Sequence, residues 1–448
     1  MYKLETALFL LTIVALLLPT SISAATLRVS QTHSTIAAAY AAAVNGDEII
    51  VSPGTYSICL TNSNKKISIK AEFPATTSAP SQYSILNSAC SHVVLFTTPL
   101  DNDGNFQPGD HFEFSGFVLN GSDDGVSYQA GSGIVQNNHI TGQTDDPVDV
   151  DAASEARVFG NILGPSKGGG DGLENRLHSF SSTRDLNMVI KDNIIYSNPK
   201  DGLQFIGIVS TLTRRKYLIA NNLIINNGQA GIGTTANAIS DQAQFPNGHP
   251  LPEKMYILNN TIVGNGMGGI LGGANMQVHN NIFYQNKGPA LKNVAGQSVA
   301  SYNLFFENTG GDNVGSNSQN PNVLANPNFV NTAVPPNFSS FQLGAGSPAI
   351  NAGMDVTLMY QEFGVNPPAY SGTPDLGWKE SGSAPPPTPP PGGKVGDINE
   401  DGRVDIVDIG IAIDNYALSP IPNPKADINN DGKVDIVDIG LLIDNYGT

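Results

Sequence analysis

The sequence predicts an all-β fold, a right-handed single-stranded parallel β-helix in which short strands stack as a solenoid. A turn residue followed by Asn and a short apolar run recurs seven times, with its asparagine at Asn138, Asn161, Asn193, Asn222, Asn260, Asn281 and Asn303. The steps between these positions are 23, 32, 29, 38, 21 and 22 residues, a spacing typical of solenoids with occasional insertions. Each unit is too short to bury its own apolar face, so neighbouring units must stack.

A second apolar segment follows several of these runs after a turn, and both segments have the length and composition of strands. Glycine and asparagine fill the bends because they tolerate positive φ. The repeated asparagine is predicted to form a ladder of side-chain hydrogen bonds along the stack. The residues of the second segment that are predicted to point inward are Leu173, Leu203, Ile232, Ile270 and Leu291.

Length and charge limit the possible functions. The chain has 448 residues, enough for a long solenoid and a small second module. Its formal net charge of −17 argues against nucleic acid as a partner, because phosphate binding requires positive charge.

The first 25 residues are predicted to be a secretory signal peptide. An apolar core from Ala7 to Leu18 is too short to span a membrane. The preferred cleavage point follows Ala25, with Ala24 as the alternative. We therefore expect a secreted protein, extracellular or attached to a cell surface, with no membrane segment after cleavage.

Residues 26–380 are assigned to the solenoid and its N-terminal cap. Residues 35–44 are Ala-rich with helical spacing, and a helix there would cover the open edge of the first coil. Export would permit a disulfide between Cys59 and Cys90, the alternative being two buried free thiols. Residues 234–254 are predicted to be a loop that overhangs the surface.

The phrase after the cap helix resembles the opening of secreted pectate-lyase-like β-helix proteins. The matching residues are Gly46, Asp47, Ile49, Val51, Pro53, Gly54 and Tyr56. The end of the solenoid, near residues 326–330 and 346–353, also resembles that family. The resemblance implies this architecture for most of residues 26–380.

Beyond a Pro-rich stretch at 381–394, predicted to be a semi-rigid linker, residues 395–448 contain two calcium loops of twelve residues. Oxygen ligands fall at loop places one, three, five, nine and twelve, glycine at six, and a backbone carbonyl at seven. The ligands predicted for the first loop are Asp397, Asn399, Asp401, Arg403, Asp405 and Asp408, and those for the second are Asp427, Asn429, Asp431, Lys433, Asp435 and Asp438.

These loops resemble dockerin modules, because each ends in Asp rather than Glu and no helix precedes it. The resemblance implies two bound calcium ions and a cohesin domain as partner. The recognition pairs are predicted to be Ile406-Val407 and Ile436-Val437. The apolar helix faces predicted to pack together contain Ile409, Ile413 and Tyr416 in the first unit and Ile439, Ile443 and Tyr446 in the second.

Strand alternation predicts where a site could lie on the solenoid. The residues that follow the inward column form an outward column of Glu174, Gln204, Gly233, Leu271 and Lys292, and the next outward column begins with Arg176. Glu174 and Arg176 should therefore lie side by side on an exposed face, beside small residues that leave room for a ribbon-like sugar chain. Asp171 and Asp201 could share a further cation with Glu174, which would add a third calcium ion.

This constellation fits a calcium-dependent polysaccharide lyase, in which calcium neutralises a uronate carboxylate and a base removes the adjacent proton. Candidate bases are Arg176, Arg214, Arg215, Lys216 and, for its pKa, His178. Several alternatives stay open. They are hydrolysis by Asp171 with Glu174 or Asp201, epimerisation, non-catalytic sugar binding by a structural or adhesive solenoid, and a plain Glu174–Arg176 surface pair. The acidic run Asp145, Asp146, Asp149, Asp151 and Glu155 is either a solvated loop or a calcium site.

Overall fold

The computed structural model describes residues 24–63, 65–97, 111–152, 154–179, 185–208, 214–370 and 372–381, and in the tail residues 396, 398, 404, 406–418, 423–428 and 433–445. The chain separates into two compact units, Met1–Gly382 and Ser383–Thr448. Nearly all of the predicted signal peptide and linker lies outside the described residues. Within the described part, helices are all too short or too polar to cross a bilayer.

The first unit is a solenoid of three parallel sheets. Sheet A has 11 strands, β1 (Thr26–Val29), β2 (Glu48–Val51), β5 (Ser68–Ala71), β8 (His111–Ser115), β11 (Gly131–Gln136), β14 (Ser154–Phe159), β17 (Leu186–Lys191), β20 (Arg215–Ala220), β23 (Lys254–Leu258), β26 (Met276–His279) and β29 (Val299–Ser301). Sheet B has 10 strands, β3 (Gly54–Tyr56), β6 (Ser84–Asn87), β9 (Val118–Asn120), β12 (His139–Thr141), β15 (Ile162–Leu163), β18 (Ile194–Tyr196), β21 (Leu223–Ile225), β24 (Thr261–Val263), β27 (Ile282–Tyr284) and β30 (Leu304–Phe306). Sheet C has 10 strands, β4 (Leu60–Ser63), β7 (His92–Thr97), β10 (Asp124–Tyr128), β13 (Val148–Val150), β16 (Leu173–Leu177), β19 (Leu203–Gly207), β22 (Ala230–Ala236), β25 (Gly268–Leu271), β28 (Leu291–Lys292) and β31 (Asn313–Val314).

From β2 onward, successive strands pass through sheets A, B and C in turn, so each coil adds one strand to each sheet. Neighbouring coils pair in parallel, which confirms the predicted fold class. The predicted inward column is also confirmed. Its five members pair in register along sheet C, and each is fully buried.

The predicted asparagine ladder is confirmed, and the coils contain two of them. In the first, the Nδ2 atom of each repeated asparagine from Asn138 to Asn281 donates to the Oδ1 atom of the next, at 2.9–3.1 Å. The second ladder links Asn198, Asn227, Asn265, Asn286 and Asn308 in the same way. All of these amides lie in the interior, where each bond satisfies a buried donor and a buried acceptor.

The N-terminal cap is a helix, as predicted. Helix α1 (Ile36–Ala42) begins at Thr35, whose side chain accepts a hydrogen bond from the Ala38 N–H. The Asp47 carboxylate accepts from the N–H groups of Ala25 and Val44, at 2.8 Å each, and so fixes the cap to the first coil. Cys59 and Cys90, which lie just before β4 and β7 of adjacent coils, form a disulfide, and this settles the alternative in favour of the bonded pair.

The C-terminal end of the solenoid differs from what the sequence suggested, because the chain folds back along the outside of the coils. A small antiparallel pair, β32 (Phe329–Val330) and β33 (Gln342–Leu343), precedes this fold-back segment. Helix α2 (Thr357–Gln361) then packs Tyr360, with Val356 and Phe363, on the outer side of sheet A. Further along, the Trp378 ring covers the outer side of sheet B at β18, β21 and β24.

The second unit contains helices α3 (Ile406–Asn415) and α4 (Ile436–Asp444), each where a helix was predicted to follow a calcium loop, and a 3-10 turn at Pro424–Ala426. Its core differs in part from the prediction. Ile409 and Ile439 pack against the core, but Ile413, Tyr416 and Ile443 are 58%, 45% and 60% exposed. The inward positions of the two helices are instead filled by Ala412 and Leu442, one residue earlier. The predicted Tyr446 contact lies outside the described residues.

Candidate active site

The candidate site lies on the outer side of sheet C. Ser127 of β10, Asp149 of β13 and Glu174 of β16 pair across three successive strands, and Gln204 of β19 continues the row. The register of the predicted outward column is therefore confirmed. Its exposure is not. Glu174 is only 2% exposed and Gln204 is fully buried, so the prediction of an exposed strand face was wrong for both.

Four aspartates, two residues before the inward apolar position of successive coils, form what we call the aspartate ladder, Asp124, Asp146, Asp171 and Asp201. The Oδ1 atom of each of the first three accepts a hydrogen bond from the backbone N–H of the next aspartate, at 3.2, 2.6 and 2.7 Å. Oδ1 of Asp201 accepts from the Ala230 N–H at 2.6 Å. One oxygen of each carboxylate is thus committed to the backbone. Of the other oxygens, Oδ2 of Asp124 lies 2.9 Å from Nδ1 of His92 and Oδ2 of Asp201 accepts from Gln204, whereas Oδ2 of Asp171 has no hydrogen-bond partner in the described residues.

The residue after Asp171 is a glycine, and this allows adjacent coils to approach each other closely at the aspartate ladder. At Gly172, a Cβ atom would lie 2.5 Å from the carbonyl oxygen of Gly202 and 2.3 Å from Cγ2 of Ile195. Real Cβ atoms do not approach other atoms so closely, so only glycine allows adjacent coils to come together here. The Asp-Gly phrase therefore combines an acceptor with the close approach that it requires.

Three carboxylates converge at the N-terminal part of the ladder. Asp124, Asp145 and Asp146 each offer an oxygen, and these atoms all lie within 4.8 Å of one another. Asp149 is close enough to add to their mutual repulsion. Burial, reinforced by neighbouring carboxylates, raises the pKa of Asp146 and Asp149 well above the usual value. A bound cation would offset the mutual repulsion of these carboxylates and lower their pKa values, because an opposite charge favours the ionised form.

The acidic run is not a solvated loop, because three of its residues, Asp146, Asp149 and Asp151, are buried. The Oδ1 atom of Asp149 and the Oδ2 atom of Asp171 have no hydrogen-bond partner in the part of the chain that the structure describes. Unpaired buried acceptors of this kind favour a bound ligand.

Glu174 and Arg176 lie one coil beyond the acidic cluster. A guanidinium nitrogen of Arg176 lies 2.5 Å from Oε1 of Glu174 and another lies 3.3 Å from Oδ2 of Asp151. Burial raises the pKa of Glu174 to about 7, an effect that the positive charge of Arg176 opposes. The two carboxylates outweigh the burial of Arg176 and raise its pKa, so this side chain stays protonated.

Asp171 and Asp201, predicted to share a cation with Glu174, have a different arrangement. Both are fully buried, and burial raises the pKa of each well above its usual value. Oδ2 of Asp201 accepts from the Gln204 side chain at 2.7 Å. In the described residues the carboxylates close enough to hold one ion are those of Asp124, Asp145 and Asp146 instead.

The other predicted bases fall away from this site or are poorly placed. Arg214 and Lys216 lie at β20 on sheet A, where they pair with Asp185, and Lys216 also pairs with Glu362. Arg215 is buried and donates to the carbonyl oxygens of Ala152 and His178. His178 follows β16 on the same side as Glu174, and burial lowers its pKa.

The room predicted beside Gly233 and Thr235 does not exist, because the insertion at 234–254 fills it. A Cβ atom at Gly233 would lie 2.4 Å from Oε1 of Gln242 and 2.0 Å from Oδ2 of Asp201. Between the ends of β22 and β23, at residues 237–253, the insertion is a loop as predicted, and it contains one 3-10 turn at Gln242–Gln244. It packs onto the outer side of sheet C rather than overhanging it.

The sequence analysis missed Asp124 as a site residue, although a signal was present. Asp124-Gly125-Val126, Asp171-Gly172-Leu173 and Asp201-Gly202-Leu203 place an aspartate two residues before an inward apolar residue in three coils, and Asp146-Pro147-Val148 does so in a fourth. Aligning these phrases on the inward residue would have placed all four acids in one column.

The tail contains the second predicted set of metal ligands. Asp408 and Asp438, at the twelfth place of each loop, are fully buried, and Oδ1 of each accepts a backbone N–H at 2.8 Å, from Ile398 and Ile428. Asp427 is also buried, and the Asp435 side chain caps helix α4. The other predicted side-chain ligands, Asp397, Asn399, Asp401, Asp405, Asn429 and Asp431, and the carbonyl of Arg403, lie outside the described residues, and Lys433 is exposed.

Comparison with known proteins supports both parts of the chain. Residues 395–445 match the sequence model of the dockerin type I domain. No curated protein sequence matches the chain. The structure is similar to the crystal structure of pectate lyase Pel9A, with a TM-score of 0.54 and 16% identity over 80% of this chain and 96% of that one.

A lower similarity links the chain to the A-module of the Azotobacter vinelandii mannuronan C-5 epimerase AlgE4, with a TM-score of 0.28 and 13% identity over 66% of this chain and 92% of that one. At these sequence identities a structural likeness shows the fold alone, and the second likeness is too low to support any conclusion. The chain is therefore a parallel β-helix of pectate-lyase-like fold followed by a dockerin type I region.

Proposed function

We propose that the protein is a secreted, calcium-dependent lyase of acidic polysaccharides. The observation that carries the proposal is the convergence of Asp124, Asp145 and Asp146 on the outer side of sheet C, with Glu174 and Arg176 beside them. One solved structure that shares this fold is that of a pectate lyase, which supports the same class of substrate.

The acidic cluster fits calcium by its chemistry. Calcium binds six to eight oxygen ligands and favours carboxylates, and the three converging side chains offer only carboxylate oxygens. The unpaired Oδ1 of Asp149 is a fourth candidate ligand. A bound calcium ion would neutralise a uronate carboxylate and stabilise the negative charge that develops when the adjacent carbon loses its proton.

Glu174 is the proposed base. Its pKa of about 7 suits proton transfer near neutral pH, where the carboxylate form is available and still basic. It would take the proton from the carbon that carries the uronate carboxylate, while the bond to the leaving sugar oxygen breaks and a carbon–carbon double bond forms. Arg176, held protonated by Glu174 and Asp151, would bind the negatively charged sugar chain. The leaving oxygen takes a proton from solvent water.

The dockerin region supports attachment to a cohesin domain on a scaffold or cell surface. Dockerin domains bind calcium and cohesins, and we propose two calcium ions in this module. Val407 and Val437, members of the predicted recognition pairs, are 51% and 39% exposed at the start of helices α3 and α4. Ile413 and Ile443 are exposed on the same helices. The two helices therefore offer matching apolar surfaces to a partner.

The lyase activity is tested by incubating the protein with a panel of polyuronates and measuring the ultraviolet absorbance of unsaturated products. We expect activity that a chelator abolishes and added calcium restores. The double variant Asp145→Asn/Asp146→Asn should lose turnover but retain cohesin binding. Its matched control, Asp408→Asn/Asp438→Asn, should retain turnover and lose cohesin binding.

Other results would contradict the proposal. New reducing ends without unsaturated product would indicate hydrolysis, and changed uronate stereochemistry without cleavage would indicate epimerisation. Binding of a polysaccharide without any turnover would favour a structural or adhesive role for the solenoid.

A further inference from the structure

The insertion between β22 and β23, residues 237–253, lies directly on the outer side of sheet C. At Gly248 a Cβ atom would lie 2.2 Å from the backbone nitrogen of Gly272, and at Gly272 one would lie 2.1 Å from Oγ1 of Thr234. Backbone therefore packs on backbone here, with no space for a ligand between the two layers. We call residues 237–253 the wall.

The wall is fixed to three strands, β19, β22 and β28, within a run of four successive strands of the sheet. Gln204 of β19 donates to Gln242 at 3.4 Å, and Thr234 of β22 donates to the carbonyl oxygen of His249 at 2.7 Å. Lys292 of β28 donates to the carbonyl oxygen of Pro246 at 2.8 Å. Since parallel strands are about 4.8 Å apart, these anchors span about 14 Å along the solenoid.

The centre of the wall is also held from beside the sheet. Gln242 is fully buried, and its backbone N–H donates to the Gln229 side chain at 2.9 Å. The Gln229 amide donates in turn to Asp241 at 2.9 Å. Buried and bonded on both sides, this part of the insertion has the contacts of a fixed element rather than those of a free loop.

The wall begins beside the candidate active site. Gln204, which it covers, is the register neighbour of Glu174, so the two lie about 5 Å apart along the solenoid. Lys200, at the foot of the wall, donates to Ser240 at 3.1 Å. Towards the N-terminal coils, the row of outward residues that contains Glu174 continues through Ser127. It ends in Leu95, which is half-buried, and Thr61, which is exposed.

We propose that the wall closes one end of the outer face of sheet C on which the substrate lies, so that the protein binds the end of a polysaccharide chain and releases short products from it. This inference rests on the proposed function for its substrate class. The bound chain extends from the wall towards the N-terminal coils, across Glu174 and the acidic cluster.

The first test follows the digestion of a long polyuronate by the full-length protein. We expect short unsaturated products from the start, with little loss of viscosity for each bond that is cleaved. A rapid fall in viscosity with a broad range of product lengths would overturn the proposal. A variant in which a short Gly-Ser linker replaces residues 238–250 should shift towards that internal cleavage.

Two controls separate a lost wall from a damaged fold. Gln244→Ala changes an exposed residue of the insertion and should leave the product profile unchanged. The fluorescence of Trp378, the one tryptophan in the sequence, reports whether the solenoid of the shortened variant is intact. If that variant does not fold, the wild-type profile alone decides.

Failure of the proposed function can be distinguished from failure of this inference. If no polyuronate is cleaved, binding is measured with oligouronates that carry a fluorescent group at one end or at the other. A binding face that is closed at one end should admit the oligouronate in one orientation. The label at the end that meets the wall should therefore weaken binding about tenfold or more. Equal affinity for both labelled forms, or no binding of either, would overturn the proposal.

Discussion

The asparagine ladders and the aspartate ladder use the same kind of hydrogen bond for different purposes. In both, a side-chain Oδ1 accepts the backbone N–H of a neighbouring coil, which is the preceding coil for an asparagine and the following coil for an aspartate. An asparagine also donates, so Asn222 bonds to Asn260 and to the Ile190 carbonyl, at 2.9 Å each. An aspartate cannot donate, so its second oxygen and its charge remain for another partner. The neutral ladders therefore stabilise the stack, whereas the charged ladder lowers the stability of the fold and provides a candidate cation site.

Exchanging the chemistry of one neutral rung should have the largest effect. Asn222→Asp removes two donors from the interior and adds a buried charge, so we expect the free energy of unfolding to fall by about 3–5 kcal/mol. Urea unfolding followed by Trp378 fluorescence measures this loss. Gln297→Glu makes the same chemical change at an exposed position and should have little effect. Similar losses in both variants would remove the distinction between ladder and surface amides.

Calcium should stabilise the solenoid through the charged ladder. At a calcium concentration of about one hundred times the dissociation constant, binding contributes about 2.7 kcal/mol. We expect the thermal midpoint reported by Trp378 to rise on addition of calcium, and this rise to vanish in Asp145→Asn/Asp146→Asn. The tail variant Asp408→Asn/Asp438→Asn should keep it. A rise that survives loss of Asp145 and Asp146 would place the ion elsewhere.

Neutralising one rung of the charged ladder should stabilise the apo solenoid. Burial raises the pKa of Asp171 in the folded state, so the folded state binds more protons and loses stability as the pH rises above the unfolded pKa. Asp171→Asn retains the acceptor without the charge, and we expect it to gain about 1 kcal/mol or more at pH 7 without calcium. The gain should disappear near pH 4, where the unfolded-state carboxyl titrates. Denaturant midpoints across this pH range check the sign, and a variant less stable than wild type at pH 7 would contradict it.

The last prediction concerns the pH dependence of turnover, which should shift without a change in the free energy of unfolding. If Glu174 is the base, activity should fall as the pH decreases through about 7, because burial holds its pKa there and the protonated form cannot accept a proton. Because turnover is measured with calcium bound and a cation favours the carboxylate, the midpoint should lie at or below this value. Glu174→Gln should lose most activity and the remaining rate should lack this pH dependence. An unchanged profile in the variant would assign the base to another residue.

The repeat made the fold predictable, because seven asparagines in register and an inward row from Leu173 to Leu291 need only strand alternation and stacking. The site was harder. Strand alternation assigns Glu174 to the outer face but says nothing of its burial, and the position of Gln242 over Gly233 depends on how an insertion folds back. The packing of Tyr360 and Trp378 on the coils follows from tertiary contacts without a local pattern. In the tail, the loop spacing located the two helices, but the choice between Ala412 and Ile413 as the inward residue required the helix crossing.

The fold-back segment also determines how the solenoid would carry a mechanical load. The Trp378 N–H donates to Thr261 at 3.1 Å, and the Gly377 N–H donates to the Asn280 carbonyl at 2.8 Å. A pull applied through residue 381 therefore acts first on the middle coils, where it must shear a buried ring and several bonds at once. Without this segment, the same pull would peel the last coil and then its neighbours, one strand at a time. Force spectroscopy from the C-terminus should accordingly show one high-force event for the solenoid, and Trp378→Ala should replace it with a series of smaller ones.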